Sequence, residues 1–146
     1  MKFSQVKSLD YGDFMDYTLT YIERWINNDS FAKKLLETSY FTKRQIKDYV
    51  TYVWNNDNGY KLTYNEIADK RHVTKQGVAE NIRLARENID RAMATFLLAV
   101  YCNIIPLETI DFLIEILDSM RVAKEAHDEQ EFRRLRKQMM KVFQQK

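Results

Sequence analysis

Residues 62–91 read LTYNEIADKRHVTKQGVAENIRLARENIDR, and two helix starts lie eleven residues apart within them. Thr63 followed by Glu66 has the pattern of a capping box, in which the hydroxyl accepts from a first-turn amide and the carboxylate reaches back to the amide of the cap. Leu62 and Ile67 are spaced as the hydrophobic staple around it. Thr74 offers a second N-cap, with Lys75, Gln76 and Gly77 as the first turn of the next helix. Between the two starts the spacing predicts a short helix holding Ile67 and Ala68, then a tight connection through Arg71, His72 and Val73. In the second helix Val78, Ile82, Ala85 and Ile89 recur at helical spacing and are expected to face a core, while Lys75, Gln76, Ala79, Glu80, Arg83 and Arg86 face outward.

A short helix, a three-residue turn and a longer helix have the lengths of a helix-turn-helix, whose second helix enters the major groove of DNA. The same run resembles region 4 of the sigma transcription initiation factors and related regulators. Leu62, Thr63, Tyr64, Glu66, Ile67 and Ala68 match the start of that pattern without gaps. Val73 and Thr74 match its turn, Val78 its inward valine, and Ala85, Arg86 and Glu87 its ending. The resemblance covers about a fifth of the chain. His72 stands where the family usually has glycine, and Gly77 places a weak helix former early in the second helix. Nothing upstream is similar to the core-promoter region of a sigma factor, so the resemblance implies a DNA-binding module and not a complete factor.

On the DNA reading, Lys75, Gln76, Glu80 and Asn81 are the candidates for base edges. Glutamine suits adenine, lysine suits guanine, and glutamate accepts from cytosine. Arg83 and Arg86 are expected at phosphates, together with Thr63, Tyr64 and Asn65 at the first helix's start and Arg71 and Thr74 in the turn. A plain solvated side chain is the alternative at each position.

The rest of the chain is read around this stretch. With 146 residues, three glycines and one proline, long helices are the natural material. The net charge is only +2 but unevenly spread. Residues 1–60 balance at zero, residues 61–91 carry seven basic and five acidic groups, residues 92–120 carry four acids alone, and residues 121–146 carry eight basic and four acidic groups. Two basic zones thus flank an acidic, apolar one. Cys102 is alone, which excludes a disulfide framework and suggests a small buried hydrophobe in a reducing compartment. The apolar run from Ala92 to Leu107 is too short to span a bilayer and leads into Pro106. No signal-peptide core opens the chain, so the cytoplasm and no membrane association are expected.

Met1 to Leu9 forms an arm on which the sequence decides little. A first helix is expected from near Asp10 to Asn27, with Phe14, Tyr17, Tyr21, Ile22, Trp25 and Ile26 as a broad aromatic face. Such rings could stack on single-stranded bases, but their helical spacing favours core packing. Ser30 can cap a short helix holding Phe31, Leu35 and Leu36. Thr42 and Gln45 form another capping box, opening a helix expected to bury Ile46, Tyr49, Val50, Val53 and Trp54. Residues 55–59 stop it, Gly59 suiting a left-handed cap; a hairpin turn with a small wing is the alternative there.

The second helix of the motif meets no glycine or proline until Pro106, so one helix can run from Lys75 to about Asn103. Its second half is apolar nearly all round and must be enclosed by other helices or by another subunit. After Pro106 a further helix sets Glu108, Asp111, Glu115 and Asp118 on one narrow stripe, with the rest expected to be buried. Paired carboxylates can do acid–base work, but a solvated face is the simpler account. The final helix, from about Asp128, places Phe132, Leu135, Met139 and Val142 or Phe143 on one side and Arg133, Arg134, Arg136, Lys137 and Lys141 on the other. That basic side suits plain solvation, phosphate contact, the acidic stripe, or a membrane surface.

Two histidines (His72 and His127) and one cysteine supply no metal spacing, and no glycine-rich phosphate loop or activated nucleophile is present. Neither an enzyme nor a cofactor is therefore expected. The sequence points to an all-α protein of about six helices: a helical support region over 1–60, a helix-turn-helix with an extended second helix over 61–103, and a helical region over 104–146 that is the candidate for oligomerisation. The expected partner is double-stranded DNA, read as a homodimer through the apolar stretch from Met93 to Leu117, in the manner of a small transcriptional regulator. The alternative is an adaptor that binds RNA polymerase or another protein.

Overall fold

The structure is a computed structural model that describes residues 11–126 and 128–144. The expected arm over Met1 to Leu9, His127, and the side chains of Phe14, Met139, Val142 and Phe143 lie outside the described residues. Among the described residues there are seven helices and no strand: α1 Tyr11–Asn28, α2 Ser30–Thr38, α3 Lys43–Asp57, α4 Tyr64–Arg71, α5 Lys75–Tyr101, α6 Leu107–Glu125 and α7 Glu129–Gln144. That is one more than the expected total of about six, although the short helix labelled α2 is itself among those expected; Asp29 alone separates it from α1. Asp29, not Ser30, is its cap: with extended backbone (φ −90°, ψ 109°) its Oδ1 accepts from the amides of Phe31 at 2.9 Å and Ala32 at 3.1 Å. A carboxylate here also complements the positive end of the helix dipole.

The other helix starts follow their local signals. Capping boxes open α3 at Thr42–Gln45 and α4 at Thr63–Glu66. Thr74 Oγ1 accepts from the Gly77 amide at 3.0 Å at the start of α5. Three helices end in one geometry, a left-handed residue whose flanking amides reach back three and five residues. Gly59 closes α3 (φ +84°), His72 closes α4 (φ +56°) and Asn103 closes α5 (φ +57°). At His72 the bonds are His72 N–H to the Asp69 carbonyl at 3.3 Å and Val73 N–H to the Ala68 carbonyl at 2.9 Å. The turn thus keeps a backbone that suits glycine while carrying a side chain.

Packing divides the chain into two units, Met1–Arg91 and Ala92–Lys146, with the boundary inside α5. In the first, Met15, Leu62, Ile67, Ala68, Val78 and Ile82 form the buried cluster, with Leu19, Tyr49, Tyr52 and Tyr64 packed against it. Ala85 is buried as expected; Ile89, expected to face the core, is 38% exposed. Ile22 and Ile26 of α1 are buried, whereas Tyr21 and Trp25 lie at the surface, where Tyr21 meets the Trp54 ring at 5.5 Å. Ion pairs Glu23–Lys47 (3.0 Å) and Asp16–Lys70 (2.7 Å) tie α1 to α3 and α4.

The inner face of α3 differs most from expectation. Ile46, Tyr49, Val50, Val53 and Trp54 are only half-buried, and the fully buried positions are polar: Gln45, Asp48, Thr51 and Asn55. Their three-, three- and four-residue spacing makes one stripe. Part of it is satisfied locally, Thr51 donating to the Lys47 carbonyl at 2.5 Å and Asn55 Nδ2 to the Thr51 carbonyl at 2.7 Å. The remainder reaches across to α4 and α5.

In the second unit, α6 packs on α7 through Ile116, Ala123 and Leu135. Glu108, Asp111, Glu115 and Asp118 are exposed, as expected of a solvated stripe. The rest of α6 is not buried, however, and the second half of α5 is not enclosed: Leu107, Ile114, Leu117, Met93 and Leu97 all stand more than half exposed. Cys102, expected to be buried, is exposed as well, in the turn that follows α5. No helix among the described residues is long and apolar enough to cross a membrane.

Because a left-handed L-residue costs about 1–2 kcal/mol relative to right-handed backbone, His72→Gly is expected to raise unfolding free energy by up to about 1 kcal/mol after glycine's extra chain entropy is offset. His72→Val should lower it. Urea titration of the two variants checks the sign of each.

Candidate nucleic-acid interface

The residues expected at DNA divide sharply by what already holds them. Asp48 is fully buried on α3 and faces both Arg71, the last residue of α4, and Asn81 on α5. The Arg71 side chain is 13% exposed and pairs through Nη1 with Asp48 Oδ1. Asn81 Nδ2 donates to Asp48 Oδ2 at 2.7 Å. Burial lowers the Arg71 guanidinium from its usual value, the Arg44 charge adds to this and Glu23 opposes it. Arginine stays protonated regardless, so Asp48 meets a full positive charge. Beside this node, Asn88 Nδ2 bridges α5 to the Gln45 Oε1 at 3.2 Å and to the Tyr40 carbonyl at 3.1 Å. Arg71 and Asn81 are thus brought together, but inward, where they set α4 and α5 against α3.

Outward on α5, charges pair along the helix. Arg83 grips Glu80 with two donors, Nε to Oε2 at 2.9 Å and Nη2 to Oε1 at 2.7 Å, and reaches Glu87 through Nη1 at 2.9 Å. Arg91 meets Glu87 at 2.8 Å. Hydrogen bonding to Arg83 holds the Glu80 carboxyl below its ordinary range and raises Arg83, so the pair persists at neutral pH. Exposed pairs of this kind are weak and exchange readily. Arg86 instead lies over two rings of α3, 5.9 Å from the Tyr49 centroid and 5.6 Å from that of Tyr52; hydrogen bonding to Tyr49 raises its guanidinium most.

At the helix starts, Thr63 and Glu66 hold each other's amides: Thr63 N–H donates to Glu66 Oε2 at 3.2 Å and Glu66 N–H to Thr63 Oγ1 at 3.3 Å. Tyr64 is half-buried with its ring edge-on to Tyr52 at 5.4 Å. Thr74 is occupied as the cap of α5. That leaves Lys75, Gln76 and Asn65 exposed, with no side-chain partner among the described residues. Lys75 and Gln76 occupy the first turn of α5, where amides without intrahelical partners and the helix dipole favour an anion.

The supporting residues Asp48, Gln45 and Asn88, and the Tyr49–Tyr52 tray under Arg86, are not apparent from hydropathy. Their one signal is the regular spacing of polar residues on α3, which reads as an outer face. The described residues hold no group of three or more His, Cys, Asp or Glu side chains able to bind a metal ion. No protein-family model, curated protein or solved structure matches the chain.

Removing one partner of a buried ion pair leaves the other charge uncompensated, at a cost of about 3–5 kcal/mol. Asp48→Ala is therefore expected to lower unfolding free energy by about 3 kcal/mol, measured by urea titration. An Asp48→Leu, Arg71→Met pair, which removes both charges, should recover more than half of that loss.

Proposed function

We propose that this chain binds double-stranded DNA in a sequence-specific manner, as a small transcriptional regulator, with α4 and α5 as a helix-turn-helix. The observation that carries the reading is the amino end of α5: Lys75 and Gln76 are exposed and uncommitted on a helix whose opposite face is locked to the core by Val78, Ile82 and Ala85. Rigid placement of base-reading side chains is what discrimination requires, since each good bidentate contact is worth about 1–3 kcal/mol. The resemblance of residues 62–91 to sigma region 4 supports the same assignment.

In this proposal Lys75 and Gln76 read base edges, with Glu80 beyond them, while Asn65, Thr63 and Tyr64 at the start of α4 approach phosphates. Thr63 and Thr74 each keep a hydroxyl proton that capping does not use. Arg86, held over its tyrosines, presents a positioned charge. Arg83 reaches a phosphate only by exchanging it for the Glu80 carboxylate. Arg71 and Asn81 act by holding the two helices in place and touch no DNA. A homodimer would present two α5 helices to half-sites roughly one DNA turn apart. The proposal involves no cofactor.

A second reading, a protein-binding adaptor or RNA polymerase modulator, is favoured by the apolar surface of the second unit. Salt separates the two, because DNA binding releases counterions and weakens steeply as salt rises.

Selection from a random duplex pool at near-physiological salt is expected to recover a sequence motif, and a Lys75→Ala, Gln76→Ala pair to relax it. Failure to recover any duplex removes the DNA reading. Glu87→Gln, which loosens Arg83 and leaves the proposed base readers intact, should tighten binding to all sequences by about 3- to 10-fold and steepen the salt dependence. Unchanged affinity would take Arg83 out of the interface.

A further inference from the structure

Arg86 differs from its neighbours on α5 in what holds it. Arg83 is tied to the carboxylates of Glu80 and Glu87, and Arg91 to that of Glu87. Arg86 meets two phenols of α3 instead, 5.9 Å from the Tyr49 ring centroid and 5.6 Å from that of Tyr52. Hydrogen bonding to Tyr49 is the chief cause of its raised guanidinium; burial opposes this, and Tyr64 and Tyr52 add to it. A phenol carries no charge at neutral pH. The Arg86 charge is therefore positioned without being neutralised.

The phenols also retain a donor. A guanidinium only donates, so a hydroxyl bonded to it accepts and keeps its own O–H for a further partner. Tyr49 and Tyr52 stand three residues apart on one side of α3. Tyr64 sets its ring edge-on to Tyr52 at 5.4 Å. All three rings are half-buried against the apolar cluster that holds Ile67 and Val78, which fixes where their hydroxyls lie. Arg86 is exposed beside them. One charged donor and two neutral ones thus meet at the surface of the first unit, a set suited to the oxygens of a phosphate.

We infer that Arg86 and the hydroxyls of Tyr49 and Tyr52 form a phosphate site whose occupant is a backbone phosphodiester of duplex DNA. The choice of occupant rests on the DNA reading above; the site itself does not. Spacing along α5 selects the occupant. Arg86 lies eleven residues beyond Lys75, about three turns, which returns it to nearly the same side of the helix roughly 16 Å along the axis. The major groove is ~12 Å wide, so a helix with Lys75 at base edges carries Arg86 past the bases to the strand that borders the groove. The helix α3 is then part of the interface and not only a support for α4 and α5. Tyr64 braces the Tyr52 ring and is a positioning residue.

The test uses the full chain and has two arms. In the first, inorganic phosphate is titrated at neutral pH and constant ionic strength while arginine Nε–H signals are followed by NMR. The Arg86 signal, assigned by its loss in Arg86→Lys, is expected to shift and saturate, and the Arg83 signal to stay in place. A Tyr49→Phe, Tyr52→Phe pair keeps both rings beside the guanidinium and removes only the hydroxyls. It should abolish the shift and leave helicity by circular dichroism unchanged. In the second arm, the same pair should weaken binding to a duplex recovered by selection by roughly 10-fold, with sequence preference kept. Arg86→Gln should lower the salt slope by about one. A phosphate shift without any duplex binding upholds the site and overturns the DNA reading that names its occupant. Duplex binding that the phenylalanine pair leaves unchanged overturns the inference and spares the DNA reading. An Arg86 signal indifferent to phosphate overturns the site.

Discussion

A carboxylate with no access to water must find its charge compensated inside the protein, and Asp48 imposes that requirement on the first unit. Its two oxygens are divided between Arg71 at the end of α4 and Asn81 on α5. Taking charges out of water costs several kcal/mol per ion, and their attraction roughly returns it, so the pair contributes little net stability. What it contributes is discrimination. A slide of α5 by one turn would keep much of the apolar contact but would carry Asn81 away from Asp48 and Asn88 away from Gln45. Apolar contact is tolerant of such shifts; a buried charge is not. The polar inner face of α3 thus holds α4 and α5 in one arrangement.

The signals legible in the sequence were those carried within four residues. Thr42 with Gln45, Thr63 with Glu66, Thr74 with Gly77 and the left-handed Gly59 are all local bargains between a side chain and nearby backbone, and the structure keeps each of them. Asp29 displaced Ser30 as a cap because both residue types serve, and only the backbone decides which is extended. The α3 stripe was illegible for a different reason. Hydropathy sends Gln45, Asp48 and Asn55 outward, and the partners that reverse this for Asp48 lie far along the chain, with Asn81 33 positions away. No local rule joins them.

For the candidate interface, the sequence identified which side chains lie on the amino-terminal part of α5 but not which are at liberty. Part of that was available in principle: Glu80, Arg83, Glu87 and Arg91 stand three and four residues apart, the separations at which opposite charges on a helix meet. Their pairing leaves a nearly balanced surface. Arg83 on DNA would trade one anion for another, and the gain from such an exchange is small. On the proposed DNA reading, affinity would come from few groups, chiefly Lys75, Gln76, Arg86 and the helix starts, with weak single-site binding as the consequence. Two linked copies multiply weak contacts without new ones.

The two units therefore solve burial in opposite ways. The first encloses polar groups and satisfies most of them internally, a costly arrangement that only a surrounding apolar cluster such as Met15, Ile67, Val78 and Ile82 can support. The second leaves isoleucine and leucine outside. A unit of under about 60 residues buries too little surface to be more than marginally stable alone, and among the described side chains of α6 and α7 the buried ones are Ile116, Ala123 and Leu135. Covering the exposed apolar residues of α6 would supply the missing burial.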